Sequence, residues 1–176
     1  MKILGIDPGI HGGLAVVEIN DSTAQLIDTI DIPTAGIAAK ERVDVAGVIA
    51  LITKHAPQHA YIERAQAMPR QGASSGFKYG RAVGALEAAV AFCNVPLTIV
   101  EPSVWKRTLG LRAAEKEGSR QLALQLFPSA HALLARKRDH GRAESALIAL
   151  AGHKVSASHG AEDTPDVPAS HSTMKG

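Results

Sequence analysis

The sequence predicts an α/β layered domain, a mixed sheet covered by helices on both faces. Three observations predict it. Three short apolar runs, separated by glycine and proline turns, open the chain; helical spacing begins only after the third; and two further strand-like runs then alternate with helical segments.

The first run is Ile3-Leu4-Gly5-Ile6, of strand length, broken by Asp7-Pro8-Gly9 and Gly12-Gly13 before a second run, Leu14-Ala15-Val16-Val17. A third strand is expected from Ala24 to Ile32, stopped by Pro33. From about Arg42 to His55, Val45, Val48, Ile49 and Ile52 recur at helical spacing, and Pro57 closes the helix. His59-Ala60-Tyr61-Ile62-Glu63 reads as a fourth strand with its acid at the last position, followed by a polar, Gly-rich loop from Arg64 to Gly76 and a helix near Phe77–Phe92. Leu97-Thr98-Ile99-Val100 is the fifth strand. Pro102 or Ser103 opens a short helix through Val104-Trp105-Lys106, a further helix spans Glu115 to Leu126, and a last one runs from His140 or Gly141 through Leu150.

The chain's 176 residues suit one domain with a full core, taken as residues 1–154. Beyond Lys154 the composition turns to Ser, His, Pro, Asp and Gly without apolar period, so residues 155–176 are expected to be a disordered tail. Ala is abundant and aromatics make up only 3% of residues, which predicts an aliphatic core with closely packed helices. The single cysteine, Cys93, excludes an intrachain disulfide or a thiolate metal cage. There is no basic-plus-apolar leader at Met1 and no apolar run of bilayer length, so a cytoplasmic protein without membrane contact is expected.

Net charge is only +2, but it is unevenly distributed. Residues 1–63 carry four Lys/Arg against eight Asp/Glu; residues 64–81 carry Arg64, Arg70, Lys78 and Arg81 with no acid; residues 101–144 carry nine bases against five acids. Basic segments usually form solvated faces, but these follow candidate metal ligands, where they would suit a phosphate track.

Asp7 follows an apolar strand and precedes Pro-Gly, which projects its carboxylate at a strand end beside a tight turn. Such an Asp can simply stabilise the turn. Glu63 repeats the arrangement at the end of an independent strand. If the first and fourth strands are neighbours the two carboxylates meet, and mutual repulsion then calls for a proton or a hard cation such as Mg²⁺. The third element is Asp139-His140-Gly141-Arg142-Ala143-Glu144. Helical spacing points His140 and Glu144 the same way, with Asp139 just outside the helix start. A plain helix cap at Asp139 or His140 with a solvated Glu144 is the simpler alternative. Ala143, Ala146 and Leu147 argue that this helix face packs on the sheet, where an unpaired carboxylate would be costly.

These residues together resemble the RuvC-like Holliday junction resolvases, in particular the phage and organelle-type branch. The resemblance rests on Ile3-Leu4-Gly5-Ile6-Asp7-Pro8-Gly9, Tyr61-Ile62-Glu63 and Gly141-Arg142-Ala143-Glu144-Ser145-Ala146-Leu147-Ile148-Ala149, in order over roughly residues 1–153. It implies a ribonuclease H-like fold with a mixed five-stranded sheet flanked by helices, a homodimer, and divalent metal bound by four side chains that cut opposed strands of a four-way DNA junction. Asp7, Glu63 and Glu144 become metal ligands; the fourth is His140 or Asp139, with helical spacing favouring His140. Two Mg²⁺, for which Mn²⁺ can substitute, would sit roughly 3.5–4 Å apart and serve in-line displacement at phosphorus. In Val104-Trp105-Lys106-Arg107-Thr108, Lys106 matches a basic residue near the scissile phosphate, with Arg107 beside it and Lys116 a looser match. Arg64, Arg70, Lys78 and Arg81 become backbone contacts. Many relatives carry an aromatic after the acid of the fourth strand; here Arg64-Ala65-Gln66-Ala67-Met68-Pro69 offers only Met68 as an apolar wedge, without aromatic stacking. Phe77 and Tyr79 are stacking candidates or, at helical spacing, core residues. The helix Phe77–Phe92, with Ala82, Gly84, Ala85 and Ala89 permitting close approach, is the candidate dimer interface.

Two other classes fit less of the sequence. An actin-like ATP-binding lobe would use Asp7-Pro8-Gly9 and Gly12-Gly13 as a phosphate loop but needs a second lobe. A catalytically inactive nucleic-acid-binding module would use the bases and leave three separated acids without purpose.

Overall fold

The structure, a computed structural model, describes residues 1–20, 23–37, 40–66, 72–111 and 116–162. Its main sheet has five strands in the order β3-β2-β1-β6-β7: β1 Lys2–Asp7, β2 Gly13–Asn20, β3 Thr23–Asp31, β6 His59–Glu63 and β7 Leu97–Val100. The first three strands pair antiparallel, while β6 and β7 add in parallel on the far side of β1. Two-residue strands β4 Thr34–Ala35 and β5 Arg42–Val43 form a separate small ladder, so Arg42 and Val43 pair as a strand rather than opening the helix expected from about Arg42.

Strand alternation sends side chains to two cores. Leu4, Ile6, Leu14, Val16 and Ile62 face α1 (Val45–His55) and α2 (Ala73–Phe92), meeting Val48, Ile52, Leu86 and Val90. Ile3, Ala15, Val17 and Tyr61 face the other side, where α6 (His140–Glu162) lies across the sheet with α3 (Pro102–Thr108) and α4 (Lys116–Leu126) around it. A short α5, His131–Leu134, between two 3₁₀ turns joins α4 to α6. Each fully buried aliphatic chain in these layers contributes about 1.5–3 kcal/mol.

α6 sits unusually close to β1, and the sequence provides for it. Gly5 lies in β1 under α6, where a Cβ would stand 1.9 Å from the Ser145 carbonyl oxygen and 2.8 Å from the Ala149 Cβ. Gly152 performs the same service over the Tyr61 ring. The helix also continues to Glu162, beyond the boundary at 154 placed from composition; Tyr61 Oη donates to Ser156 Oγ at 3.2 Å, a tertiary contact that composition cannot reveal. Residues 163–176 lie outside the described residues, as do Met68 and Arg70. Likewise α2 begins at Ala73, four residues before the expected start.

Candidate functional site

The parallel register of β1 and β6 pairs Ile6 with Ile62, so Asp7 and Glu63 are the next residues of adjacent strands, at the same sheet edge. Both share the strand face of Gly5 and Tyr61, the face covered by α6. Gly5 brings that helix down onto β1, and Glu144 lies one turn from its start. Immediately after Asp7 the chain turns through Gly9, whose φ of 122° only glycine adopts without strain.

Electrostatics tie the three acids together. Burial, then the charges of Glu144 and Glu63, hold the Asp7 carboxyl well above its ordinary range, with Lys106 acting in the opposite sense. Burial likewise raises Glu63, opposed by a hydrogen bond from Trp105 and by Lys106 and reinforced by Glu144. Trp105 Nε1 donates to Glu63 Oε2 at 2.5 Å. On α2, the Tyr79 hydroxyl is pushed up to about 12 by burial and by the nearby negative charges of Glu63 and Asp7. Tyr79 reaches the sheet edge from the opposite layer, and a Cβ on Gly9 would touch its ring at 3.4 Å. Tyr79, expected either to stack or to join the core, is half-buried and borders the acids, whereas Phe77 is 71% exposed.

Of the two candidates for the fourth ligand, Asp139 already has a partner of its own. Asp139 is fully buried, but its carboxylate is occupied by Arg136, accepting from Arg136 Nη2 at 2.8 Å and from the Arg136 backbone N–H at 2.8 Å in a reciprocal cap. Burial alone would raise Asp139; the Arg136 hydrogen bonds prevail and hold it below its usual range. His140 is exposed at the first position of α6. Glycine contacts seat the start of that helix. Gly141 abuts Gly12 backbone to backbone, with a Cβ there only 2.8 Å from the Gly12 carbonyl carbon, so the first turn of α6 presents glycine to the β1–β2 turn. Arg142 then clamps the turn by donating to both Asp31 oxygens, from Nε at 2.7 Å and Nη2 at 2.8 Å. Asp139→Asn should therefore cost about 1–2 kcal/mol in urea unfolding by weakening the cap, while cleavage stays within a few-fold of the parent. A loss of cleavage equal to that of an Asp7 variant would restore Asp139 to the site.

The same contacts dispose of the phosphate-loop reading. A Cβ at Gly12 would fall 2.0 Å from the Asp7 carbonyl oxygen and one at Gly13 would fall 2.5 Å from the Gly141 carbonyl oxygen, so both glycines serve close packing.

Of the expected DNA contacts, Lys78 and Arg81 are exposed on α2 and line a cleft of about 620 Å³ that adjoins Asp7 and includes Arg42 and Tyr79. Arg64 is exposed but ion-paired with Glu101, to which Gln66 also donates at 3.2 Å. Lys106 is half-buried with its Nζ 5.1 Å from the Trp105 ring centroid, and Arg107 is exposed on the same short helix. Lys116 opens α4, its side chain outside the description. Among the proposed interface residues, Ala82 and Ala89 are consumed in the core; Gly80 and Gly84 of α2 face outward, where a Cβ would meet open space, between exposed Phe77 and Phe92.

Three carboxylates at one sheet edge, two of them raised by burial and mutual charge, form an oxygen donor set that suits a hard divalent cation. Among the described residues, no three His, Cys, Asp or Glu side chains close into a metal-ligand cluster.

Comparison with known proteins places this geometry. The family model described as crossover junction endodeoxyribonuclease RuvC matches residues 3–136, ending before Glu144. A protein of that name from Sorangium cellulosum is 34% identical over 121 residues, which span 66% of this chain and 66% of that protein. A second, from Oleidesulfovibrio alaskensis, is 31% identical over 121 residues, 66% of this chain and 72% of its own length. Among solved structures, Thermus thermophilus RuvC in complex with Holliday junction substrate superposes with a TM-score of 0.69 at 26% identity, covering 91% of this chain and 97% of that one. The fowlpox virus Holliday junction resolvase shares the fold, with a TM-score of 0.60 at 14% identity. The sheet order β3-β2-β1-β6-β7 and the match over residues 3–136 lead to one conclusion: the chain belongs to the RuvC family of crossover junction endodeoxyribonucleases.

Proposed function

We propose that the protein is a metal-dependent endonuclease that resolves four-way DNA junctions by paired nicks. The observation that carries this reading is the convergence of Asp7, Glu63 and Glu144 from two adjacent strands and a crossing helix. These carboxylates would hold Mg²⁺, two ions with Mn²⁺ able to replace them; the bound metal supplies charge that activates water and offsets negative charge on the leaving 3′ oxygen. Around the acids, the chain's own residues bind and orient the strand. Lys106, held half-buried beside Trp105, supplies a positive charge for phosphoryl oxygens, and Lys78, Arg81 and Arg42 on the adjoining cleft neutralise flanking phosphates. Lys106→Ala should reduce single-turnover cleavage about 10²-fold with little change in thermal midpoint.

A four-way junction needs two cuts on opposed strands, which two copies related by a two-fold axis provide. The outward glycines of α2 between Phe77 and Phe92 are the surface this reading assigns to the homodimer. Among the described residues no helix is long and apolar enough to cross a membrane, and the reading retains a cytoplasmic protein that meets DNA. The test is cleavage of a synthetic four-way junction against matched linear duplex, with Mg²⁺ present or chelated. Paired nicks confined to the junction and lost on chelation are expected; equal cutting of both substrates, or cutting that survives chelation, would overturn it.

A further inference from the structure

Trp105 is the chain's only tryptophan, and the sequence gives no reason for an indole rather than a smaller aromatic at that position. It has no solvent exposure and belongs to the core cluster that holds Tyr61, Val100, Phe127 and Leu147 on the α6 side of the sheet. If packing were its only task, phenylalanine would fill much of the same space without an N–H to satisfy. A buried donor left unpaired is costly. Here the donor meets Glu63 Oε2 at 2.5 Å, the short separation of a bond to a carboxylate. That bond engages Oε2 and not Oε1, and neither Glu63 oxygen is a buried orphan. The next residue, Lys106, carries its ammonium 5.1 Å from the centroid of the same ring, within cation–π range. One buried side chain thus touches both an acid of the cluster and the cation that opposes the cluster's charge.

We propose that Trp105 is a positioning residue of the metal site: its indole N–H fixes one Glu63 oxygen, leaving the other for the cation, while its ring locates the Lys106 ammonium. The proposal rests on the reading of Asp7, Glu63 and Glu144 as ligands. It assigns to α3 a task that the motif Val104-Trp105-Lys106 does not state, since the sequence places the base but not what holds it. The helix is suited to it: Pro102 starts α3 directly after β7, which pairs with β6 through Glu63↔Val100, so Trp105 is anchored next to the strand end it serves. Partners that orient a metal ligand in this way typically affect metal affinity by roughly 10- to 100-fold.

The single tryptophan makes the test direct. The metal-free full-length protein is titrated with MgCl₂ while Trp105 emission and binding heat are followed in parallel. The emission is expected to change with the same midpoint as the heat, because occupancy at Glu63 alters the hydrogen bond. Saturating heat with flat emission overturns the proposal; absence of both overturns the metal-site reading and the proposal with it. In the metal-free protein, Glu63→Gln should alter the emission, and an unchanged spectrum counts against the bond. Trp105→Phe should weaken Mg²⁺ binding by roughly 10- to 100-fold. Where that variant folds poorly, a benzothienylalanine at position 105, which keeps the bicyclic shape and replaces N–H with sulfur, should give the same loss. Either folded variant binding Mg²⁺ as tightly as the parent refutes the assignment.

Discussion

Asp7→Asn is expected to reduce junction cleavage by about 10³-fold or more and, in the same protein, to raise the thermal midpoint measured in chelator. The two effects share one cause. Asp7 sits where burial and the charges of Glu144 and Glu63 all disfavour its ionised form, so the group that would hold the cation is a burden on the metal-free fold. An amide removes the repulsion together with the ligand. The pH dependence follows with a definite sign. The ordinary pKa values of these side chains are 3.8 for Asp7 and 4.5 for Glu63, and both are raised in the folded state. The native state therefore binds more protons above those values, and stability falls as pH rises through the folded pKa values. Asp28, Asp31 and Asp139 are lowered, so their stabilisation is present above about 4 and disappears in more acidic solution. Urea midpoints of the metal-free parent should accordingly decline above pH 5, and Asp7→Asn should flatten that decline. Added Mg²⁺ should restore the parent by preferential binding to the native state and leave the variant nearly unaffected. A variant that keeps its nuclease activity, or loses stability, would contradict the role given to Asp7.

Gly5→Ala is the second large effect expected, about 3 kcal/mol or more of destabilisation in urea unfolding. The added methyl would occupy a point 1.9 Å from the Ser145 carbonyl oxygen and 2.8 Å from the Ala149 backbone nitrogen. Neither is the end of a flexible chain, so α6 must lift from β1. Because Glu144 rides on that helix and Asp7 ends that strand, cleavage should fall by more than the unfolded fraction explains. Activity measured well below the unfolding midpoint separates the two losses. Full activity in a folded Gly5→Ala protein would mean that the spacing of α6 and β1 does not set the site.

Local pattern carried much of this. The five strands of the main sheet were legible because apolar runs of strand length are bounded by turn residues, and Glu63 was legible because it ends such a run. The two-residue strands β4 and β5 left no trace, since two residues have no period. The last helix was legible through its apolar residues, but its end at Glu162 was not, because composition alone marks the region after Lys154.

By itself, then, the sequence determined the strands, the main helices, and which acids stand at element ends, because these depend on residues close in the chain. Only the tertiary structure decided which acids meet. Helical spacing favoured His140 as Glu144's companion; the structure adds that the backbone contact of Gly141 with Gly12 and the Arg142–Asp31 clamp fix how α6 is seated, and that Asp139 is paired with Arg136. Tyr79 and Trp105 reach the acids from opposite layers, separated from Asp7 by many residues of chain. Periodicity tells which face of a helix is apolar; the approach of two backbones, set here by Gly5, Gly12, Gly13 and Gly141, tells which carboxylate arrives beside Asp7.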